Sequence, residues 1–301
     1  MVTKTKSAYV CNDCGADYRK WQGQCTECNA WNTLSEIRLS APARGGKVLR
    51  PGFAGAVDGA VKTLADIALD EIPRISTGTG ELDLVLGGGL VPGSCVLLGG
   101  EPGAGKSTVL LQTLCQLAEN HSSLYVTGEE SPQQIAMRAN RLGLPTDKLE
   151  IMAETSVETV CAIAEQKRPK VLVVDSIQVM HIEEVASAPG SVSQVRESAA
   201  MLVRFAKQTG TVLILVGHVT KDGSLAGPKV LEHMIDCSLM LEGSSDNHFR
   251  TLRSHKNRFG AVNELGVFAM TDKGLREVPN PSAIFLQRGE EVSSGSVVMI
   301  V

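Results

Sequence analysis

The feature that most restricts this chain is Gly100-Glu101-Pro102-Gly103-Ala104-Gly105-Lys106-Ser107, which satisfies G-x-x-x-x-G-K-[ST]. The motif carries chemistry only between a strand and a helix. Both flanks agree: Ser94-Cys95-Val96-Leu97-Leu98 reads as a short apolar strand, and Thr108 to Ala118 places Val and Leu at helical spacing. Glycines let successive backbone N–H groups turn inward as an anion nest, and the following helix adds its positive end. Lys106 is the candidate contact for β and γ oxygens and Ser107 the candidate Mg2+ ligand, with Thr108 next in the same turn. The cofactors implied are ATP and Mg2+.

A loop of this kind needs a carboxylate at the end of another buried strand. Val171-Leu172-Val173-Val174-Asp175 is four apolar residues ending in an acid, so Asp175 is the second Mg2+ candidate, against a plain helix-capping role. Hydrolysis also needs a group that orients water. Glu129-Glu130 follows the strand ending at Thr127, on a carboxyl-end loop. Glu129 is favoured as base, Glu130 is the alternative, and both can instead be exposed loop acids. His218 follows the strand Thr211–Val216, where it either senses the γ-phosphate or serves the loop structurally. Helices are expected at Pro132–Leu142, Ser156–Lys167 and Ser193–Gln208. Strands alternating with helices predict an α/β fold, with a mainly parallel sheet covered on both faces.

The eight cysteines fall into two groups. Cys95, Cys115, Cys161 and Cys237 stand among Val, Leu and Ala and read as core residues. Cys11, Cys14, Cys25 and Cys28 form two C-x-x-C pairs, the tetrahedral thiolate set that Zn2+ prefers. Disulfides or a redox pair explain the spacing less well. A segment this small has almost no core, so a structural metal would supply its folding energy. Residues 1–35 are expected to be this knuckle, 36–66 a Gly- and Pro-containing linker, and 67–278 the nucleotide-binding domain.

Composition removes several classes. The formal charge of −4 excludes a uniformly basic nucleic-acid coat, so any anion-binding surface is local. Residues 1–50 hold eight Lys or Arg against four Asp or Glu, and Arg250, Arg253, His255, Lys256 and Arg258 form a second basic run. No stretch approaches the roughly eighteen apolar residues of a membrane span, and the first residues lack a secretory core, so no membrane partner is expected and a cytoplasmic location is.

Further residues carry a resemblance. Ser76-Thr77-Gly78 with Glu81-Leu82-Asp83, then Leu86-Gly87-Gly88-Gly89-Leu90 and Pro92-Gly93-Ser94, resembles the RecA and KaiC branch of P-loop ATPases. With the four-cysteine knuckle and Lys256-Asn257-Arg258-Phe259-Gly260, the chain is similar to the bacterial DNA-repair members of that branch. The resemblance covers essentially the whole chain. It implies a RecA-like core and a DNA-dependent, helicase-like ATPase of recombinational repair, active on single-stranded and branched DNA and promoting branch migration. It also implies a homo-hexameric ring, the RecA recombinase as a partner, and a Lon-protease-like domain of which residues 279–301 are only the start. Lys256 and Arg258, two apart, would share one face of a strand and reach a neighbour's γ-phosphate as cationic fingers. Contact with DNA phosphates and an unpartnered basic turn remain alternatives. Lys221 to Lys229 resembles a DNA-facing loop. A KaiC-like signalling ATPase and a non-hydrolysing nucleotide-binding scaffold are the competing classes.

Overall fold

The computed structural model describes residues 6–11, 16–39, 63, 73–217, 229–243 and 248–278. The amino-terminal unit is an antiparallel sheet of β1 (Lys6–Cys11), β2 (Asp17–Tyr18) and β3 (Leu34–Leu39), in the order β2-β1-β3. Its small core is Cys11, Cys25 and Leu34, with Tyr9, Ala16 and Tyr18 packed around them. Strand β3 pairs with β1 as far as Leu39, so this unit runs past the boundary at residue 35 expected from composition. Six ladder pairs with β1 hold residues 34–39 that carry no turn chemistry of their own.

The large unit begins with α1 (Gly80–Leu86), β4 (Cys95–Gly100), α2 (Lys106–Leu117), β5 (Ser123–Thr127) and α3 (Pro132–Leu142). It continues through β6 (Glu150–Ala153), α4 (Val157–Lys167), β7 (Val171–Asp175), α5 (Val192–Thr209) and β8 (Val212–Val216). The short α6 (Lys229–Glu232), β9 (Cys237–Glu242), β10 (Phe249–Asn257), β11 (Leu265–Thr271) and β12 (Gly274–Glu277) complete it. Nine strands form one sheet in the order β12-β11-β10-β9-β4-β8-β7-β5-β6. From β9 to β6 every pairing is parallel, while β10 to β12 extend the edge antiparallel.

Both faces are covered, as the apolar runs predict. Helices α1, α2 and α3 pack on one face through residues such as Leu82, Leu110, Leu114 and Ile135. Helices α4 and α5 cover the other with Val160, Ala164, Leu202 and Val203. Val171, Leu172, Val173 and Val174 are all fully buried, each contributing roughly 1.5–3 kcal/mol by leaving water. Helix α3 starts where Ser131 and Gln134 form a reciprocal capping box, with Pro132 in the first turn. Cys95, Cys115 and Cys237 are core residues and Cys161 is half-buried at the core edge; burial pushes the Cys115 thiol up to about 11 and those of Cys161 and Cys237 up to about 12, so these three stay neutral. Among the described residues, no helix is long and apolar enough to cross a membrane.

Candidate nucleotide site and metal centre

In an open parallel sheet the carboxyl ends of the strands face the ligand crevice. Strand β4 delivers Gly100 there, and the chain turns through exposed Glu101, Pro102 and Gly103 before α2 begins at Lys106. Gly103 and Gly105 take φ of +82° and +105°, conformations that side chains rarely adopt. A Cβ on Gly105 would also stand 2.9 Å from Leu275 Cδ1, so the loop lies tight against β12. Ala104 is buried, and the Arg250 guanidinium on β10 donates to its carbonyl at 3.1 Å. Lys106, 5% exposed, donates to the carbonyls of Gly100 at 2.7 Å and Glu101 at 2.9 Å. Burial holds its ammonium below the usual lysine range, and the carboxylates of Asp175 and Glu129 partly oppose that shift.

The acids assemble through the β5–β7 pairing, in which Thr127 stands opposite Asp175 and the Gly128 N–H donates to the Asp175 carbonyl at 2.9 Å. Asp175 is buried, and Tyr125 on β5 donates its hydroxyl to Oδ2 at 2.5 Å. Burial first and Asp175 second raise the Tyr125 pKa well above normal, so the phenol remains a donor. Glu129 accepts a hydrogen bond from the Ser176 hydroxyl, directly after Asp175. Glu130 points elsewhere: Arg138 on α3 pairs with it, and its backbone N–H and C=O bind Thr127. Glu129 therefore faces Asp175 and Lys106, while Glu130 belongs to the α3 surface.

The signature before the loop is structural. Asp83 accepts from the Ser76 hydroxyl at 2.6 Å and the Thr77 N–H at 2.8 Å, closing the turn into α1. Glu81 accepts from the Val267 N–H at 2.8 Å, fastening α1 to β11. Gly87 and Gly260 lie so close that a Cβ on Gly260 would stand 2.9 Å from Gly87 Cα. Asn257 donates to the Val85 carbonyl at 3.2 Å, and Arg74 to the Phe259 carbonyl at 2.8 Å. The K-N-R-F-G segment is thus docked on α1 by its asparagine, glycine and backbone, leaving its two cations to other work.

Those cations do not share a simple strand face. A bulge shifts the β9–β10 register between Ser254 and Lys256, and Arg258 lies just beyond the end of β10. Lys256 donates to the carbonyls of Glu232 and Ile235, the latter at 2.9 Å, while Arg258 reaches Asp236 at 3.1 Å. Both sit at the amino end of the parallel strands. Asn257 is level with Cys237 and hence with Val96, four residues before Gly100 on β4 and about 13 Å away along the strand. Within one chain both cations therefore lie at the opposite end of the strands from Gly100. The basic run read from the sequence is divided, because Arg250 is 4% exposed and grips the loop, whereas Arg253, His255 and Arg258 are exposed.

In the amino-terminal unit the sulfurs of Cys11, Cys25 and Cys28 lie within 4.8 Å of one another, with Cys11 and Cys28 3.6 Å apart. Thiolates at the 2.3 Å bond length of tetrahedral Zn2+ stand about 3.8 Å apart, so the cluster fits that ion. The turn after Cys25 is tight: Asn29 N–H donates to the Cys25 carbonyl at 2.8 Å, with Asn29 at φ +59°. Cys14, His218 and residues 221–228 lie outside the described residues.

Sequence reasoning missed Tyr125, Ser176, Asp236 and Lys207. Each is an ordinary residue in a strand, helix or loop, and only the fold brings it to a charged partner.

The comparisons agree with this geometry. A family model described as ATPase: KaiC matches residues 75–276, and a rubredoxin metal binding domain matches residues 9–36. The chain is 65% identical over 303 residues to the DNA repair protein RadA of Escherichia coli, covering 100% of this chain and 66% of the relative. It is 62% identical over 301 residues to the RadA of Haemophilus influenzae, with 100% and 66% covered. Against the RadA of Bacillus subtilis it is 46% identical over 301 residues, with 99% and 65% covered. The chain therefore spans 66% or less of the length of these relatives. By its nucleotide-binding loop, its sheet and these matches, the chain belongs to the KaiC family of ATPases, in the branch formed by its RadA relatives.

Proposed function

We propose that this chain is the DNA-dependent ATPase part of a recombinational repair motor, which acts on single-stranded and branched DNA as a homo-hexameric ring and promotes branch migration. The observation that carries the reading is the separation within one subunit. Lys106, Asp175 and Glu129 gather at the carboxyl ends of the strands, while Lys256 and Arg258 stand at the amino end. A site split in this way is complete when a neighbour presents its cations, as head-to-tail packing in a closed ring does.

The triphosphate lies along the Gly100–Ser107 backbone, with Lys106 turning from the Gly100 and Glu101 carbonyls to the β and γ oxygens. Ser107 and Asp175 would hold Mg2+, which when bound neutralises charge on those oxygens. Tyr125 keeps Asp175 oriented. Glu129 leaves the Ser176 hydroxyl to accept the proton of the attacking water, whose oxygen bonds to the γ-phosphorus as the bond to the β–γ bridging oxygen breaks. Cationic fingers from the neighbour stabilise the transferring phosphoryl group. Cys11, Cys14, Cys25 and Cys28 would hold Zn2+ in a purely structural site. The repair role and the RecA recombinase as a partner follow the resemblance to the RadA proteins.

The test is ATP turnover with and without a dT oligonucleotide, with molecular mass measured in ATP and Mg2+. Stimulated turnover by a six-subunit species is expected. Turnover indifferent to DNA favours a signalling ATPase, and binding without turnover a scaffold.

A further inference from the structure

Asp236, between α6 and β9, has a side chain only 3% exposed, and three donors from separate parts of the chain converge on it. Its Oδ2 pairs with Lys207 on α5 and accepts the Cys95 N–H at 2.9 Å, at the start of the strand that leads to the phosphate loop. Its Oδ1 accepts from Arg258 Nη1 at 3.1 Å. A carboxylate out of water needs one compensating cation, and this one has two. They are not equivalent. The Lys207 side chain is 19% exposed, the Arg258 side chain 53%. The partners also divide by atom, so departure of Arg258 leaves Oδ2 with an ammonium and a backbone N–H, an ion pair neutral as a unit. Without Lys207, Arg258 would be the only cation in direct contact with Asp236 among the described residues, because nearby Lys256 is held by the Glu232 and Ile235 carbonyls, and its departure would leave the buried carboxylate with no directly paired charge.

We propose that Lys207 is a positioning residue that neutralises Asp236 so that Arg258 can leave it for a phosphate of the neighbouring subunit. The carboxylate parks the guanidinium between turnovers, and the lysine sets how easily it is released. The backbone bond to Cys95 ties the parking place to β4, so its position is fixed relative to the sheet. The idea rests on the reading of Arg258 as a finger acting in trans.

The discriminating variant is Lys207→Gln, whose amide still donates to Oδ2 but carries no charge. DNA-stimulated turnover of the full chain is expected to fall about tenfold, toward that of Arg258→Ala, mainly in kcat with little change in KM. Adding Asp236→Asn should restore most of the rate, because a neutral amide no longer detains the guanidinium. A merely structural role predicts a double variant at least as impaired as the single one, and that result overturns the proposal. Lys207→Met, with a stem of similar length, gives the same comparison if the glutamine variant does not fold. Wild-type turnover by Lys207→Gln alongside an impaired Arg258→Ala refutes the release mechanism and leaves the finger intact. Wild-type turnover by Arg258→Ala removes both.

Discussion

Replacing Arg250 by methionine separates two readings of the basic run in β10. In sequence Arg250 is one of five clustered basic residues and reads as a surface anion contact; in the fold it is 4% exposed, donating to Ala104 at 3.1 Å and to Phe249 at 3.0 Å. Its stem passes over Gly243, where a Cβ would stand 2.5 Å from Arg250 Cδ, so the backbone is shaped around it. Methionine fills much of the same space but returns no hydrogen bonds. A hydrogen bond from a charged donor contributes about 1.5–3 kcal/mol, and the buried Ala104 carbonyl is left without that donor. For a domain of roughly 200 residues each kcal/mol moves the midpoint by about 2–4 °C, so a loss of about 3–12 °C is expected in a thermal melt. Affinity for a fluorescent ATP analogue should weaken, because Ala104 lies inside the phosphate loop. Anisotropy with a labelled oligonucleotide at saturating nucleotide should show DNA affinity within twofold of wild type. An unchanged melt together with lost DNA affinity would refute the clamp and return Arg250 to the surface.

Other substitutions test the acids and the metal. Glu129→Gln should retain ATP binding and lose turnover by about 10²–10⁴-fold, whereas Glu130→Gln should lose only its Arg138 pairing, at most about 1 kcal/mol, and keep most activity. Equal losses in single-turnover assays would remove the assignment of Glu129 as base. Both tryptophans of the chain, Trp21 and Trp31, sit in the cysteine unit and are 58% and 69% exposed, so tryptophan emission, excited selectively beyond the tyrosine band, reports on that unit alone. Stripping metal with a chelator should change this emission while helical circular dichroism from the ATPase domain is retained. Emission indifferent to the chelator would argue against a structural metal. If DNA is held through phosphates, log affinity should fall linearly with log salt, and a flat response would count against it.

Much of the ATPase core could be read from the chain because its signals are local. Buried parallel strands show as apolar runs, so Val171–Asp175 has the same limits in sequence and structure, and the strand leading to Glu129 ends at Thr127 in both. Helix α3 is bounded by a capping box and by Gly143 in the left-handed region, both visible as residue types. Apart from a strand expected at Lys256 and Arg258, the antiparallel strands β10 to β12 were not legible, since their half-buried alternation is broken by a bulge at His255 and by Arg250, which faces inward. Arg250 is the plainest case: a cation reads as surface until a buried carbonyl is known to await it. The Lys207, Asp236 and Arg258 cluster joins residues 22 to 51 positions apart, and no periodicity links them. The direction of Glu129 against Glu130 was settled only by the partners each meets, Ser176 and Arg138.

The most direct test of a site divided between subunits is to mix Lys106→Ala with Arg258→Ala protein and follow ATP turnover across mixing ratios. Each variant alone should be nearly inactive. At equal amounts a randomly mixed ring has an intact phosphate loop facing an intact arginine at about a quarter of its interfaces, so turnover near that fraction of wild type is the expected result. No recovery at any ratio would contradict the account and place Arg258 on DNA or within its own subunit.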